Sequence, residues 1–140
     1  ESNRLPYAGD SLSEHHASAR EWWDAQVSGS EPVALCWPVL SGFIRIGTNA
    51  RLQRRPLTLK EATERVESWL EQPCARLVQA TEEHWKCFQR MLRAGNATGN
   101  LVSDAHLAAL AIEHNCTLHS TDSDFARFPG LKWRNPIAGE

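Results

Sequence analysis

At 140 residues, 41% of them hydrophobic and 23% charged, the chain has the size and balance of one ordinary globular domain with its own core. Its longest apolar runs are too short to span a bilayer and no leader-like start is seen, so the expectation is a soluble, cytoplasmic protein with no membrane partner. The net charge of −2 excludes little, but its distribution is uneven. Residues 32–60 contain no acid and carry Arg45, Arg51, Arg54, Arg55 and Lys60; residues 125–139 contain none and carry Arg127, Lys132 and Arg134. Two such segments either gather on one face and attract a polyanion or remain scattered, solvated cations.

The first helix signal is the capping box "SLSE" at 11–14, which starts a helix to about Val27 with Ala19, Trp22 and Trp23 on its buried side. "GSEP" breaks the chain and "VALCW" reads as a short strand. Pro38 suits a helix's first turn, and "VLSGFIRIGTN" continues it with Leu40, Phe43 and Ile44 inward. "TLKE" at 58–61 is a second capping box, opening a helix with Leu59, Ala62, Val66, Trp69 and Leu70 at helical spacing. Pro73 closes it, and "ARLVQA" reads as a strand.

Thr81 is placed as the cap of the next helix, with Trp85, Phe88 and Leu92 toward the core. "AGNATGN" is a loop. "LVSDAHLAALAIEHN", with Ser103 as its expected cap, is a helix apolar nearly all round, hence buried on more than one side. "CTLHS" is a strand, "DSDFARF" a short helical turn, and "KWRN" a last strand. Alternation of strands and helices predicts an α/β domain, a parallel sheet flanked by helices on both faces, spanning 1–140.

The cysteines Cys36, Cys74, Cys87 and Cys116 form no Cys-x-x-Cys pair and have no histidine at zinc-finger spacing, so they are expected to be reduced and mostly buried. The acids are more informative. Asp122 and Asp124 directly follow a strand, at the carboxyl end where open parallel sheets bind ligands. Asp104 lies in the first turn of the helix that leads back to that strand, so two separate stretches deliver carboxylates to one rim. Gathered carboxylates resist ionising together, and a hard cation such as Mg²⁺ or Mn²⁺ relieves that conflict. The competing explanation is local: an aspartate favours a helix's first turn through the dipole, and Thr121, Asp122 and Asp124 would cap a short helix.

The run "GNLVSDAHLAALAIEHNCTLHSTDSDFARFPGLKWRNP" resembles the C-terminal half of PIN-domain ribonucleases, specifically the VapC-type toxins of bacterial toxin–antitoxin pairs. "WPVLSGFIRIGTN" and "ESNRLPYAGDSLSEHHASAREWW" resemble the same family, while residues 51–93 are generic. The resemblance implies a PIN-like parallel sheet, a carboxylate cluster binding Mg²⁺ or Mn²⁺, endonucleolytic cleavage of RNA, and neutralisation by a small antitoxin. Residue by residue, Asp104 matches the family's acid at the start of the buried helix, and Asp122 and Asp124 match those after the following strand.

Two departures stand out. The family opens with a strand ending in aspartate, followed by Asp-x-Asn; here Glu1 occupies that aspartate's place beside Asn3, and the strand before it is missing. Either the chain is truncated or glutamate has replaced aspartate with one more methylene. Pro6 also interrupts what should be an early helix. Gly42 stands where many members carry a further glutamate, although a subgroup does without it.

On this reading Asp104, Asp122, Asp124 and Glu1 form the catalytic metal site, with Asn3, Asn100 and Thr121 as polar residues orienting the acids. Arg45, Arg51, Arg54, Arg55, Lys132 and Arg134 would draw RNA phosphates. His106 and His119 are expected to be structural. Of the adjacent Trp22 and Trp23, one should face outward, toward the antitoxin or a second copy in a homodimer; Trp69 and Trp85 are expected in the core. The alternative is a weakened or inactive PIN module that acts by binding RNA or protein. A nucleotide-cofactor protein is disfavoured, because no glycine-rich phosphate loop follows a strand.

Overall fold

The strands of the protein, in a computed structural model that describes residues 3–7 and 32–135, line up as a single five-stranded parallel sheet. In chain order they are β1 (Asn3–Pro6), β2 (Val33–Leu35), β3 (Ala75–Leu77), β4 (Cys116–His119) and β5 (Lys132–Arg134), and in space they run β3-β2-β1-β4-β5. The helices are α1 (Trp37–Gly47), α2 (Leu59–Leu70), α3 (His84–Ala94) and α4 (Leu101–Glu113), with a 3₁₀ turn at Ser123–Arg127. The expected helix over 11–27, with Ala19, Trp22 and Trp23, and the residue Glu1 all lie outside the described residues.

β1 sits at the centre, pairing with β2 at Arg4↔Val33 and with β4 along Asn3↔Cys116 to Pro6↔His119. The "NRLP" stretch is therefore a strand, where an early helix interrupted by Pro6 was expected. Proline is tolerated because it is the strand's last residue; the next amide, of Tyr7, donates to the His119 carbonyl at 3.0 Å. Leu5 and all of β2 are buried, so consecutive side chains pointing to opposite faces are all covered. Burial is concentrated in these central strands, whereas the edge strands β3 and β5 are largely exposed.

The helix starts follow local chemistry. α1 carries Pro38 in its first turn. α2 has the full capping box: the Glu61 amide donates to Thr58 Oγ1 at 3.1 Å and the Thr58 amide to Glu61 Oε1 at 2.9 Å. Its core face is narrower than the spacing suggested. Ala62, Val66 and Trp69 are buried, but Leu59 is 67% and Leu70 37% exposed. Trp69 meets Phe43 of α1 edge-on, with ring centroids 4.5 Å apart.

α3 begins after a turn in which the Thr81 hydroxyl accepts the Glu83 amide at 3.1 Å. Trp85, expected inside, is 60% exposed, because α3 turns Cys87 and Met91 into the core instead. α4 starts at Leu101, two residues before the expected cap Ser103, and buries an unbroken run from Leu107 to Ala111. The cysteines are free thiols; Cys36, Cys87 and Cys116 are buried and Cys74 half-buried.

Candidate metal centre

Asp104, Asp122 and Asp124 each offer a carboxylate oxygen within 4.8 Å of the others. Two elements make this cluster. α4 presents Asp104 in its first turn, and β4 ends one residue before the loop that carries Asp122 into the 3₁₀ turn bearing Asp124. Because α4 leads back to the amino end of β4, its own amino end and the carboxyl end of β4 share a rim.

The loop is fixed by Ser120, which is fully buried. Its amide donates to the Arg134 carbonyl at 3.0 Å, its carbonyl accepts Trp133 Nε1 at 3.0 Å, and its hydroxyl accepts the Asp122 amide at 3.1 Å. Sequence reasoning passed over Ser120, although a serine closing a strand two residues before an acid is a recognisable turn former. Asp122 Oδ1 in turn accepts the Asp124 amide at 2.9 Å and caps the 3₁₀ turn. The local explanation for Asp122 and the metal explanation are thus both available to one side chain, since a carboxylate can accept through several lone pairs.

Three gathered carboxylates carry an electrostatic cost, and Asp104 bears it. Partial burial raises its pKa to about 7, the charges of Asp122 and Asp124 push it the same way, and the charge of Arg127 opposes them. The donor set consists of carboxylate oxygens with no thiol or imidazole, which fits a hard divalent cation. The hydroxyl of Thr121, between Ser120 and Asp122, is buried and has no hydrogen-bond partner among the described residues. An orphaned hydroxyl beside a carboxylate cluster suits a bound water or an acid that shifts when a cation arrives.

Asn3 opens β1 in register with Cys116, the first residue of β4, which sets its backbone at the amino end of the strands. Asn100 is exposed and makes no capping bond to α4. Arg45 lies in the last turn of α1, and Arg51, Arg54 and Arg55 on the connection to α2; all four are exposed, on elements that carry none of the three acids. Lys132 pairs with Thr117 and its Nζ donates to Asn115 Oδ1 at 2.8 Å, again toward the amino end of the sheet. Arg134, in register with His119 and bonded through its carbonyl to Ser120, reaches the acid rim. Gly42 faces this region too: a Cβ there would lie 3.6 Å from Cε1 of Tyr7, whose ring meets Phe125 edge-on at 6.0 Å.

Comparison with known proteins agrees with this geometry. The profile of the PIN domain family matches residues 7–131. Ribonuclease VapC37 of Mycobacterium tuberculosis is 43% identical over 138 residues, covering 99% of this chain and 96% of its own length. Ribonuclease VapC43 of the same species is 38% identical, covering 99% and 94%. Among solved structures, VapBC-1 from nontypeable Haemophilus influenzae matches with a TM-score of 0.62 at 14% identity, over 95% of this chain and 97% of that one. VapBC2 from Rickettsia felis, bound to a DNA fragment from its promoter, matches with a TM-score of 0.58 at 15% identity, over 94% and 98%. With a parallel sheet whose carboxyl rim gathers three aspartates, and relatives of this identity along nearly its whole length, the chain belongs to the PIN domain family.

Proposed function

We propose that the protein is an endoribonuclease of the VapC type, the toxin of a toxin–antitoxin pair, which hydrolyses RNA phosphodiesters at a Mg²⁺- or Mn²⁺-dependent site on the sheet's carboxyl rim. The observation that carries this reading is the convergence of Asp104, Asp122 and Asp124 from two separate elements. It is supported by relatives that are named ribonucleases and by structural neighbours described as VapBC complexes.

Asp104, Asp122 and Asp124 would hold the cation, and Glu1 remains a proposed fourth acid. When bound, the ion supplies Lewis acidity and lowers the pKa of water. The chain does the rest. Ser120 and the Asp122 cap hold two of the acids at a fixed spacing, and Asp104 accepts or releases a proton near neutral pH according to the charge beside it. Thr121 and, less directly, Asn100 are proposed to orient the acids. Arg134 is the cation of the expected set best placed to meet an RNA phosphate; Arg45, Arg51, Arg54, Arg55 and Lys132, on elements that carry none of the acids, are proposed to contact the rest of the strand. A small antitoxin, a homodimeric state and a cytoplasmic location complete the reading. No helix among the described residues is long and apolar enough to cross a membrane.

The test is cleavage of single-stranded RNA with Mg²⁺ or Mn²⁺, stopped by EDTA and by Asp104→Asn or Asp122→Asn. Cutting undiminished by those substitutions removes the assignment. The second reading, a PIN module that binds without turnover, draws on Gly42, where the Cβ direction meets the Tyr7 ring and no carboxylate joins the acids. Salt-dependent RNA binding with no metal-stimulated cutting would select it.

A further inference from the structure

Arg127 closes the 3₁₀ turn that begins beside Asp122, and it stands three residues after Asp124. In a 3₁₀ helix, side chains three apart lie nearly in line, so the cation and the carboxylate share one edge of the turn. Its Nη1 donates to the Gly95 carbonyl at 2.8 Å, at the carboxyl end of α3. That carbonyl belongs to the negative end of the helix dipole and is a favourable seat for a guanidinium. The tether is tight because α3 and the turn abut: a Cβ on Gly95 would lie 2.6 Å from Cε1 and 2.9 Å from Cδ1 of Phe128.

A guanidinium has five N–H donors in a rigid fork, and this bond uses one of them. Arg127 is exposed, and among the described residues it forms no ion pair with Asp104, Asp122 or Asp124. It is nonetheless the cation whose charge acts on Asp104. A cation held beside the acids, without being neutralised by them, leaves donors for an anion brought to the same rim. A polyanion approaching three carboxylates needs such compensation.

We propose that Arg127 anchors a backbone phosphate of the RNA beside the acid cluster, with its guanidinium plane set by the Gly95 carbonyl. This rests on the endoribonuclease reading for its substrate, and it assigns the electropositive element to the 3₁₀ turn that carries Asp124, in place of the arginines of residues 45–55. A strand gripped there lies next to the carboxylates, so the contact serves register as well as affinity.

The experiment compares the full chain with Arg127→Gln and Arg127→Lys in three measurements: binding of a labelled single-stranded RNA in EDTA across a salt series, Mn²⁺ binding by calorimetry, and cleavage of the same RNA with Mn²⁺. Arg127→Gln is expected to weaken RNA binding about tenfold or more and to flatten the salt slope by about 0.7. Its Mn²⁺ affinity should hold or tighten, because a repelling charge has been removed. Arg127→Lys should restore the slope but only part of the affinity. A purely structural role predicts the opposite pattern, with weaker Mn²⁺ binding in both variants and an unchanged salt slope. RNA affinity and slope unchanged in Arg127→Gln overturn the proposal, as does wild-type protein that binds no RNA. Wild-type protein that binds RNA but does not cut it overturns the nuclease reading alone, and the binding arm still decides for or against Arg127.

Discussion

His84 and His106 meet across the α3–α4 interface, Nε2 to Nδ1 at 2.9 Å. On its other side His84 Nδ1 bonds the Glu113 carboxylate, whose side chain is 4% exposed and whose second oxygen accepts both the amide and the hydroxyl of Thr81 at 2.9 Å. A neutral His106 can donate its Nδ1–H to His84 Nε2 while His84 Nδ1 donates to Glu113. Burial and the neighbouring His84 hold the pKa of His106 below its ordinary value, in keeping with that neutral form. His106 therefore belongs to a part-buried network that joins α3 to α4, two positions along α4 from a carboxylate of the acid rim.

Glu113→Ala removes the acceptor shared by Thr81 and the part-buried His84, and is expected to cost about 1–3 kcal/mol in urea unfolding at pH 7. Burial alone would raise the Glu113 pKa, but the bonds from Thr81 and His84 outweigh it and lower the value below 4.5. A carboxyl depressed by folding stabilises above its unfolded pKa, and that contribution is lost as pH falls through the folded value. The gap between wild type and Glu113→Ala should accordingly be full at pH 7 and shrink below pH 4.5. A cost under 1 kcal/mol at pH 7 would show that the network is not holding the helices.

Asp104 carries the opposite sign. Its folded pKa, raised to about 7, means that the metal-free protein binds a proton more readily than the unfolded chain. The stabilisation is complete below pH 3.8 and is lost as pH rises through about 7. Metal-free wild type should therefore lose stability relative to Asp104→Asn between pH 5 and pH 8, and Mn²⁺ should reverse that loss for wild type only. Parallel thermal melts of the two proteins with and without Mn²⁺ read this directly; identical pH profiles would contradict it.

Asp122 does two jobs that can be separated. Asn keeps the capping oxygen and removes the charge, whereas Ala removes both. Asp122→Asn should keep its unfolding midpoint while losing Mn²⁺ binding and cleavage. Asp122→Ala should lose those and about 1 kcal/mol of stability as well. Equal destabilisation by both variants would mean that the charge, and not the cap, orders the turn.

Gly95 is needed for close approach rather than for an unusual backbone angle. A methyl at 95 runs into the Phe128 ring, so Gly95→Ala should destabilise by about 1–3 kcal/mol despite alanine's better helix propensity. Gain of stability in chemical denaturation would show that the ring can move aside.

The two tryptophans distinguish exposure from burial. Trp69→Ala, emptying a site 2% exposed, should cost about 3–5 kcal/mol, while Trp85→Ala, on a ring 60% exposed, should change stability by about 0.5 kcal/mol or less. Two similar costs would mean that the Trp85 ring is covered in solution.

Much of this was legible from local chemistry. The Thr58–Glu61 capping box, Pro38 in a first turn, the apolar helix at 101–113 and the acids following "CTLHS" all declare themselves within a few residues. Leu59, Leu70 and Trp85 were misplaced because a 3.6-residue period identifies a face but not its width. The central strand was missed because "NRLP" offers little apolar pattern and a proline; its identity comes from partners 29 and 113 residues away at Arg4↔Val33 and Asn3↔Cys116. Glu113, His84 and Thr81 meet only after folding, and Arg127 looked like one more surface cation until Gly95 fixed it.

The position of β1 also sets an order of assembly. Its four residues lie 113 positions ahead of their partners in the chain, so one whole side of that strand waits for Cys116–His119 before it can be paired. Asp122 and Asp124 emerge later still. A polypeptide still being translated can therefore neither close its sheet nor complete its acid cluster before Asp124 has been added, and under the proposed function the nuclease site is withheld until then.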